Sequence, residues 1–201
     1  SRSQGLARGD IVLGQTADFS ASRAAISRAY AEGAALHFDA VNAAGGVAGR
    51  RIRVVQMDDG YDTKRALANA QDLVEKQQVF ALVHSVGTGI TGQLLPFVDE
   101  AGVPHIHPLT GADPVRPPLR TSPQTFFLRA SYGREVDRIV GQLHTLGIRR
   151  IALVHEDEPF GHGIRDAVAP ATQRCRHGCR VVAAEGNHDP SVEGRDGRRR
   201  V

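Results

Sequence analysis

The sequence of 201 residues contains no tryptophan, one methionine and two cysteines, and it has no long hydrophobic run. A membrane-spanning helix needs roughly 18 consecutive apolar residues, and no stretch approaches that length, so membrane insertion is not expected. The two cysteines, Cys175 and Cys179, are too few to assign a redox compartment. Hydrophobic residues make up 41% of the chain and charged residues 23%, which is typical of a folded globular protein.

An excess of charge of one sign is also missing from most of the chain. The formal net charge is +3, but residues 174–201 alone hold seven arginines against four acidic residues. Residues 1–173 hold 18 basic and 18 acidic residues. The main part of the protein is therefore neutral overall, and it lacks the broad basic field that attracts nucleic acid or a membrane surface.

The familiar catalytic and metal-binding motifs are absent as well. The sequence has no G-x-S-x-G nucleophile elbow, no H-E-x-x-H and no Walker loop, so an enzyme is not expected. Nine histidines are present, but those near predicted strand ends lack the close spacing of metal ligands. The run Cys175-x-His177-x-Cys179 has ligand-type residues, and it lies in the arginine-rich tail. We expect no bound metal and no cofactor.

Short apolar runs alternate with longer amphipathic segments along the chain. We predict strands at residues 10–15, 51–57, 79–83, 103–106, 125–129 and 150–155. We predict helices at residues 24–42, 64–75, 90–100, 132–146 and 160–173. This alternation indicates an α/β fold whose parallel sheets are flanked by helices. In such folds ligands bind beyond the carboxyl ends of the strands, where the strand order reverses.

One glycine-rich motif allows a competing interpretation. Gly87-x-Gly89-x-x-Gly92 has the spacing of a dinucleotide-binding fingerprint, and Asp113 follows 21 residues later, about where a ribose-binding acid is found. Taken alone, the motif would favour an NAD-dependent oxidoreductase. However, it follows the third predicted strand rather than the first, and no hydride-transfer partner is evident nearby. We treat this enzyme as the less favoured alternative.

An ordered set of segments resembles the type I periplasmic binding proteins of ABC transporters, in particular the branched-chain amino-acid (Leu/Ile/Val) binding group. The matching segments include IVLGQTADFS, NAAGGVAGRRI, MDDGYD, VFALVHSVGTGITG, AGVPHIHPLTGAD and FFLRASYGREVDRIV. The resemblance implies two α/β lobes, joined by three crossover strands, that close on a small ligand. It also implies a periplasmic protein that serves the permease subunits of an ABC importer, although no signal peptide is recognisable near Ser1.

The resemblance divides the chain into three parts. Residues 1–124 would form lobe one, residues 125–173 the first crossover strand and part of lobe two, and residues 174–201 an aberrant arginine-rich tail. The second lobe is therefore expected to be incomplete. Family members continue with apolar residues at the tail, and in GC-rich codons the segment GRDGRRR becomes VATAVAA when read one base later. We expect that the tail reflects a frameshift or a truncation.

The resemblance assigns the ligand's carboxylate to the loop after the third strand, where Ser85, Gly87 and Thr88 are the candidate contacts. Thr88 stands at the position of the family's hydroxyl residue. Backbone N–H groups at a helix start also suit a carboxylate on physical grounds. The structural alternative is that Ser85 or Thr88 only caps the helix that follows.

Further candidate contacts come from three other segments. Leu109, Thr110 and Gly111 match the family's segment that binds the ligand's ammonium group, although Gly111 stands where the family has Thr. Ile26 and Phe160 would flank the rest of the ligand, Phe160 as an aromatic wall from lobe two.

The acidic segment after the second strand has a plainer expectation. For Asp58, Asp59 and Tyr61 we expect turn formation and helix capping rather than ligand contact.

Together these features predict the solute-binding subunit of an ABC importer, which binds an amino acid or a related small carboxylate between its lobes. The alternative with the same fold is a ligand-sensing domain of a receptor or regulator.

Overall fold

The computed structural model describes residues 9–173 and the backbone of residues 180–185. The chain divides into two compact units. The first comprises residues up to Thr110 together with Val115–Arg129, and the second comprises Gly111–Pro114 and the residues from Ala130 onward. The elements, in chain order, are β1 (Asp10–Ala17), α1 (Ala24–Ala43), β2 (Arg51–Asp58), α2 (Thr63–Glu75), β3 (Ala81–Val83), α3 (Thr88–Ala101), β4 (His105–Ile106), a 3₁₀ turn (Asp113–Val115), β5 (Thr125–Phe126), α4 (Tyr132–Thr145), β6 (Arg150–His155), α5 (Pro159–Gln173) and β7 (Arg180–Glu185).

The first unit is built on a five-stranded parallel sheet in the order β2-β1-β3-β4-β5. Successive residues of a strand point to opposite faces, so Val12 and Leu82 pack on one face while Leu13 and Val83 pack on the other. Helices α2 and α3 cover the first face, and Phe38 of α1 packs against the second. The predicted fold class, a parallel α/β sheet flanked by helices, is confirmed.

Helix α2 illustrates how the sequence specifies this arrangement. Ala66, Ala70 and Leu73 recur at helical spacing, and all three are fully buried against the sheet. The helix begins after Asp62, whose side chain accepts a hydrogen bond of 2.7 Å from the backbone N–H of Arg65. The local capping signal and the apolar stripe therefore agree on where the helix starts and which face it buries.

The second unit pairs β6 with β7 in parallel, and α4 and α5 pack together through Val136, Val140 and Val168. Strand β7 was not predicted, because a short apolar run such as residues 181–184 is ambiguous by periodicity alone. Residues 186–201, where the arginine-rich end of the tail and the expected frameshift fall, lie outside the described residues. Within the described part of the chain, no helix combines the length and hydropathy needed to span a bilayer.

Candidate functional site

The strand order places a crevice beside β1 and β3. Strand β2 lies on one side of β1, and the strands β3, β4 and β5 follow in order on its other side. The order in which strands are added to the sheet therefore reverses between β2 and β3. Loops that leave neighbouring strands in opposite directions open a crevice at their carboxyl ends, and ligands of open α/β sheets bind there. The candidate carboxylate loop, Ser85–Gly89, leaves β3 at this edge.

The start of α3 lies at this edge of the sheet. The helix begins at Thr88, two residues earlier than predicted, and it is preceded by Gly87 with a φ of 115°. Because Gly87 has no side chain, no side-chain group of that residue accepts a hydrogen bond from the N–H groups of the first turn. Backbone N–H groups in the first turn of a helix have no intrahelical partner, and the helix dipole makes that end positive.

Five of the predicted site residues come together here. The Thr88 and Thr110 hydroxyl oxygens lie 2.8 Å apart, and both residues are buried. The N–H of Leu109 donates to the Ser85 carbonyl at 2.7 Å, and the N–H of Gly87 donates to the Leu109 carbonyl at 3.3 Å. The loops that follow β3 and β4 are thereby bound side by side, with two hydroxyl groups between them.

The Ser85 hydroxyl has a buried partner. It lies 2.8 Å from Nε2 of His105, and both residues are buried. Burial is the main reason that the pKa of His105 falls to about 4, so the imidazole is neutral at physiological pH. This contact anchors the first residue of the loop to β4, and a direct ligand contact by Ser85 stays a prediction.

Tyr61 and Arg23 form part of the same edge, and sequence reasoning did not assign either to the site. A Cβ placed on Gly87 would lie 2.7 Å from Cε2 of Tyr61, so the phenol ring stands directly against the glycine. The guanidinium carbon of Arg23 lies over the same ring, 5.2 Å from its centroid. The only sequence signal was the turn-forming run MDDGY, which does not reveal where the ring points.

Three aspartates hold the loops that follow β1 and β2. The buried Asp18 carboxylate accepts hydrogen bonds from the N–H groups of Ser20, Ala21 and Arg23. Asp58 accepts from Phe19, which lowers its pKa. Within the segment after β2, the N–H of Gly60 donates to Asp58 and the N–H of Tyr61 donates to Asp59, so the expected turn formation is confirmed. The expected capping is wrong in its residue, since the cap of α2 is Asp62.

Asp59 is the aspartate of this group whose pKa is raised. It is fully buried and accepts a hydrogen bond of 2.9 Å from the Thr16 hydroxyl. Burial raises the pKa of Asp59 to about 6, because desolvation disfavours the carboxylate form more than its hydrogen bonds favour it. The group therefore titrates just below neutral pH.

Gly111 belongs to the second unit, and the structure explains why it is not the family's Thr. A Cβ there would lie 2.7 Å from Cδ1 of Tyr132 and 2.8 Å from the carbonyl oxygen of Ala130. The Tyr132 N–H also donates to the Gly111 carbonyl at 2.6 Å. Any larger residue would displace the buried Tyr132 ring, so a hydroxyl side chain is excluded from this position.

The two predicted flanking residues lie in different units. Ile26 is in the first turn of α1 and is 49% exposed. Phe160, in the first turn of α5, is 36% exposed and meets the Tyr132 ring edge-on, with centroids 5.6 Å apart. Both keep exposed apolar surface, and their contact with a ligand stays a prediction.

A second concave feature lies on the α1 side of the sheet. Its volume is about 510 Å³, and its lining is mostly apolar, with Tyr30, Phe38, Leu128 and two histidines, His84 and His107, among the residues around it. The two imidazole rings stack with centroids 6.2 Å apart. None of its lining residues belongs to the first turn of a helix, so the Thr88–Thr110 edge is the better candidate for a small carboxylate.

The structure gives no support to the metal and dinucleotide interpretations. Among residues 9–173 no group of three or more His, Cys, Asp or Glu side chains could hold a metal ion, and Cys175-x-His177-x-Cys179 lies outside the described residues. The glycine fingerprint follows β3, the third strand, and the Asp113 carboxylate accepts the Gly133 N–H at 3.0 Å. That acid therefore already has a structural partner.

With a parallel sheet flanked by helices, the chain belongs to the periplasmic binding protein family, whose model matches residues 10–192. The resemblance stated from the sequence is therefore confirmed. The family is one of solute-binding proteins rather than enzymes.

Three individual proteins are similar to this chain in sequence or in structure. An amino acid binding protein of Pseudomonas aeruginosa is 27% identical over 186 residues, which are 88% of this chain and 46% of that protein. A substrate-binding periplasmic protein from Ralstonia solanacearum superimposes with a TM-score of 0.81 at 30% identity, covering 89% of this chain and 50% of that one. The branched-chain amino acid transporter substrate binding protein LivJ of Streptococcus pneumoniae, in complex with isoleucine, gives 0.75 at 26% identity, covering 88% and 49%. The chain thus spans about half the length of these relatives.

Proposed function

We propose that the chain is the solute-binding component of an ABC importer and that it binds an amino acid or a related small carboxylate. The observation that carries the proposal is the start of α3, where the Thr88 and Thr110 hydroxyls lie 2.8 Å apart beside the strand reversal. This combination offers an anionic group several hydrogen-bond donors at the positive end of a helix.

The ligand's carboxylate binds to the backbone N–H groups of the first turn of α3 and to the Thr88 hydroxyl. When the Thr110 hydroxyl donates to the Thr88 oxygen, the single hydroxyl proton of Thr88 is left to donate to the carboxylate oxygen. Hydrogen bonds to a charged acceptor contribute about 1.5–3 kcal/mol each. The segment Leu109–Gly111 carries carbonyl groups that suit the ammonium end of an amino acid.

Apolar surface for the rest of the ligand comes from Ile26 of the first unit in this proposal. Its side chain is 49% exposed, and a bound ligand would cover part of that surface.

The relatives support the ligand class and the biological setting. The Pseudomonas protein is described as an amino acid binding protein, and LivJ was solved with isoleucine. By analogy with the family, this chain acts in the periplasm and delivers its ligand to permease subunits.

Isothermal titration calorimetry on the 201-residue chain tests the proposal, since it measures the binding of unlabelled small molecules over a wide range of affinities. The probes are L-leucine, L-isoleucine, L-valine and benzoate, with NADH as the negative control. We expect saturable binding of at least one of the four carboxylates and none of NADH. Absence of binding by all four carboxylates, or binding of NADH alone, would overturn the proposal.

A further inference from the structure

Arg23 and Tyr61 form a stack that ends against the carboxylate loop. The Arg23 guanidinium lies over the Tyr61 ring, and the Cε2 edge of that ring stands against Gly87, the residue that precedes α3. A guanidinium on an aromatic face is held by the ring quadrupole, and the attraction is stronger when it is partly shielded from water. Arg23 is neither fully buried nor fully exposed. A positive charge is thereby held one ring away from the start of α3.

The backbone on both sides of the stack is fixed. The Arg23 N–H donates to Asp18 at 2.6 Å, and Asp18 is fully buried. The Tyr61 N–H donates to Asp59 at 2.9 Å, and Tyr61 has a φ of 62°, a left-handed conformation that is costly for a residue with a large side chain. The aspartates therefore hold both residues in the positions that the stack requires.

The same aspartates create an electrostatic problem for an anionic ligand. Asp18, Asp58 and Asp59 cluster at the carboxyl ends of β1 and β2, next to the crevice. Arg65 forms an ion pair with Asp58, with 2.8 Å between nitrogen and oxygen, which offsets one of these charges. The remaining negative charge disfavours a carboxylate at the start of α3, and a cation held on the Tyr61 ring beside Gly87 would counter it.

We propose that Arg23, carried on the Tyr61 ring, is a specificity-determining residue that makes the site select ligands with a negatively charged end. The inference rests on the proposed function and adds a residue to it. A purely structural role for Arg23 would have a different consequence, since packing against Tyr61 would not distinguish a charged ligand from its neutral amide.

The test compares each acid with its primary amide, which has nearly the same shape but no negative charge. The probes are L-leucine, L-isoleucine, L-valine and benzoate with their amides, titrated into the 201-residue chain and into Arg23→Gln. The wild type should prefer the acid, and Arg23→Gln should reduce that preference about three- to tenfold. Arg53→Gln, on an exposed position of β2, makes the same change of charge away from the site and should keep the wild-type preference.

Two further variants separate charge from packing. Tyr61→Phe keeps the aromatic face and should keep the preference for the acid. Tyr61→Leu removes the aromatic face and should reduce the preference as Arg23→Gln does. Arg23→Lys keeps the charge and should restore part of the preference. Urea unfolding of each variant reports whether it is folded.

The outcomes for the two proposals are distinct. If the wild type binds an acid over its amide and folded Arg23→Gln and Tyr61→Leu do so equally well, the role of Arg23 is overturned while the proposed function stands. If the wild type binds none of the acids, the proposed function itself fails, and the role of Arg23 fails with it.

Discussion

At the scale of single residues, Gly87 is a position that only glycine fits without strain. Its φ of 115° is a conformation that other residues rarely adopt, and a Cβ would press on the Tyr61 ring. Gly87→Ala should therefore destabilise the protein by about 1–3 kcal/mol, from backbone strain and from displacement of the ring. The free energy of unfolding in urea measures this effect.

Gly33→Ala is the matched control. Gly33 lies inside α1, and a Cβ there would meet no atom within 4 Å. Alanine is the better helix former, so this variant should be more stable than the wild type by about 0.5–1 kcal/mol. Equal effects of the two substitutions would contradict the account of Gly87.

Two buried groups give the stability of the protein opposing responses to acid. Asp59 has a folded-state pKa of about 6, above the usual value of 3.8, so the folded state binds the proton more tightly and gains stability as the pH falls from 6 to 4. His105 has a folded-state pKa of about 4, below the usual 6.5, so its contribution is lost as the pH falls through the same window.

Asp59→Asn separates the two contributions. Asparagine cannot take up the proton that stabilises the folded wild type as the pH falls. The variant should therefore lose more stability than the wild type between pH 6.5 and pH 4.5, with a difference of about 1–3 kcal/mol. Asp39→Asn, on the exposed surface of α1, controls for the loss of one carboxylate and should follow the wild-type profile. Urea unfolding across this pH range gives the comparison, and parallel profiles for wild type and Asp59→Asn would refute the role of Asp59.

At the scale of elements, the bounds of the helices were predicted to within two residues, because apolar periodicity marks their buried faces. The strands β4 and β5 are only two residues long, shorter than predicted, since the sheet pairs just the ends of those apolar runs. The earlier start of α3 matters most, because it makes Thr88 the first helical residue. Local sequence could not fix that boundary, since the glycines around Thr88 favour a loop.

The candidate site was predicted in part. Motif and resemblance together selected Thr88 and Thr110, which lie in hydrogen-bond contact. Arg23 and Tyr61 were missed because their relation to Gly87 depends on three loops from different strands, and no local pattern encodes that meeting. The His105 partner of Ser85 was hidden for the same reason, since the pair is 20 residues apart along the chain.

The hydroxyl pair that joins α3 to the loop after β4 supports a prediction about coupling. Both side chains are buried, so Thr88→Val leaves the Thr110 hydroxyl short of one partner, and the converse holds for Thr110→Val. Each single variant should lose about 1–2 kcal/mol of stability, and the double variant should lose less than the sum by about 0.5–1.5 kcal/mol. A double-mutant cycle in urea measures the coupling, and strictly additive losses would show that the pair contributes none.

At the scale of the whole molecule, the fold class followed from the alternation of strands and helices, whereas the strand order did not. Periodicity identifies elements but does not say which strands are neighbours, so the reversal between β1 and β3 emerges only from the three-dimensional arrangement. Strand β7 was missed because its apolar run is short and lies close to the arginine-rich end of the chain.

The Kd of Thr88→Ala tests whether the start of α3 binds a small carboxylate. The ligand is the one that the wild type binds best among L-leucine, L-isoleucine, L-valine and benzoate. The variant removes one hydrogen bond to a charged group, so its Kd should rise about 10–150-fold. Thr145→Ala removes a hydroxyl from the exposed end of α4 and should leave the Kd unchanged. A folded Thr88→Ala variant with the wild-type Kd would contradict the account.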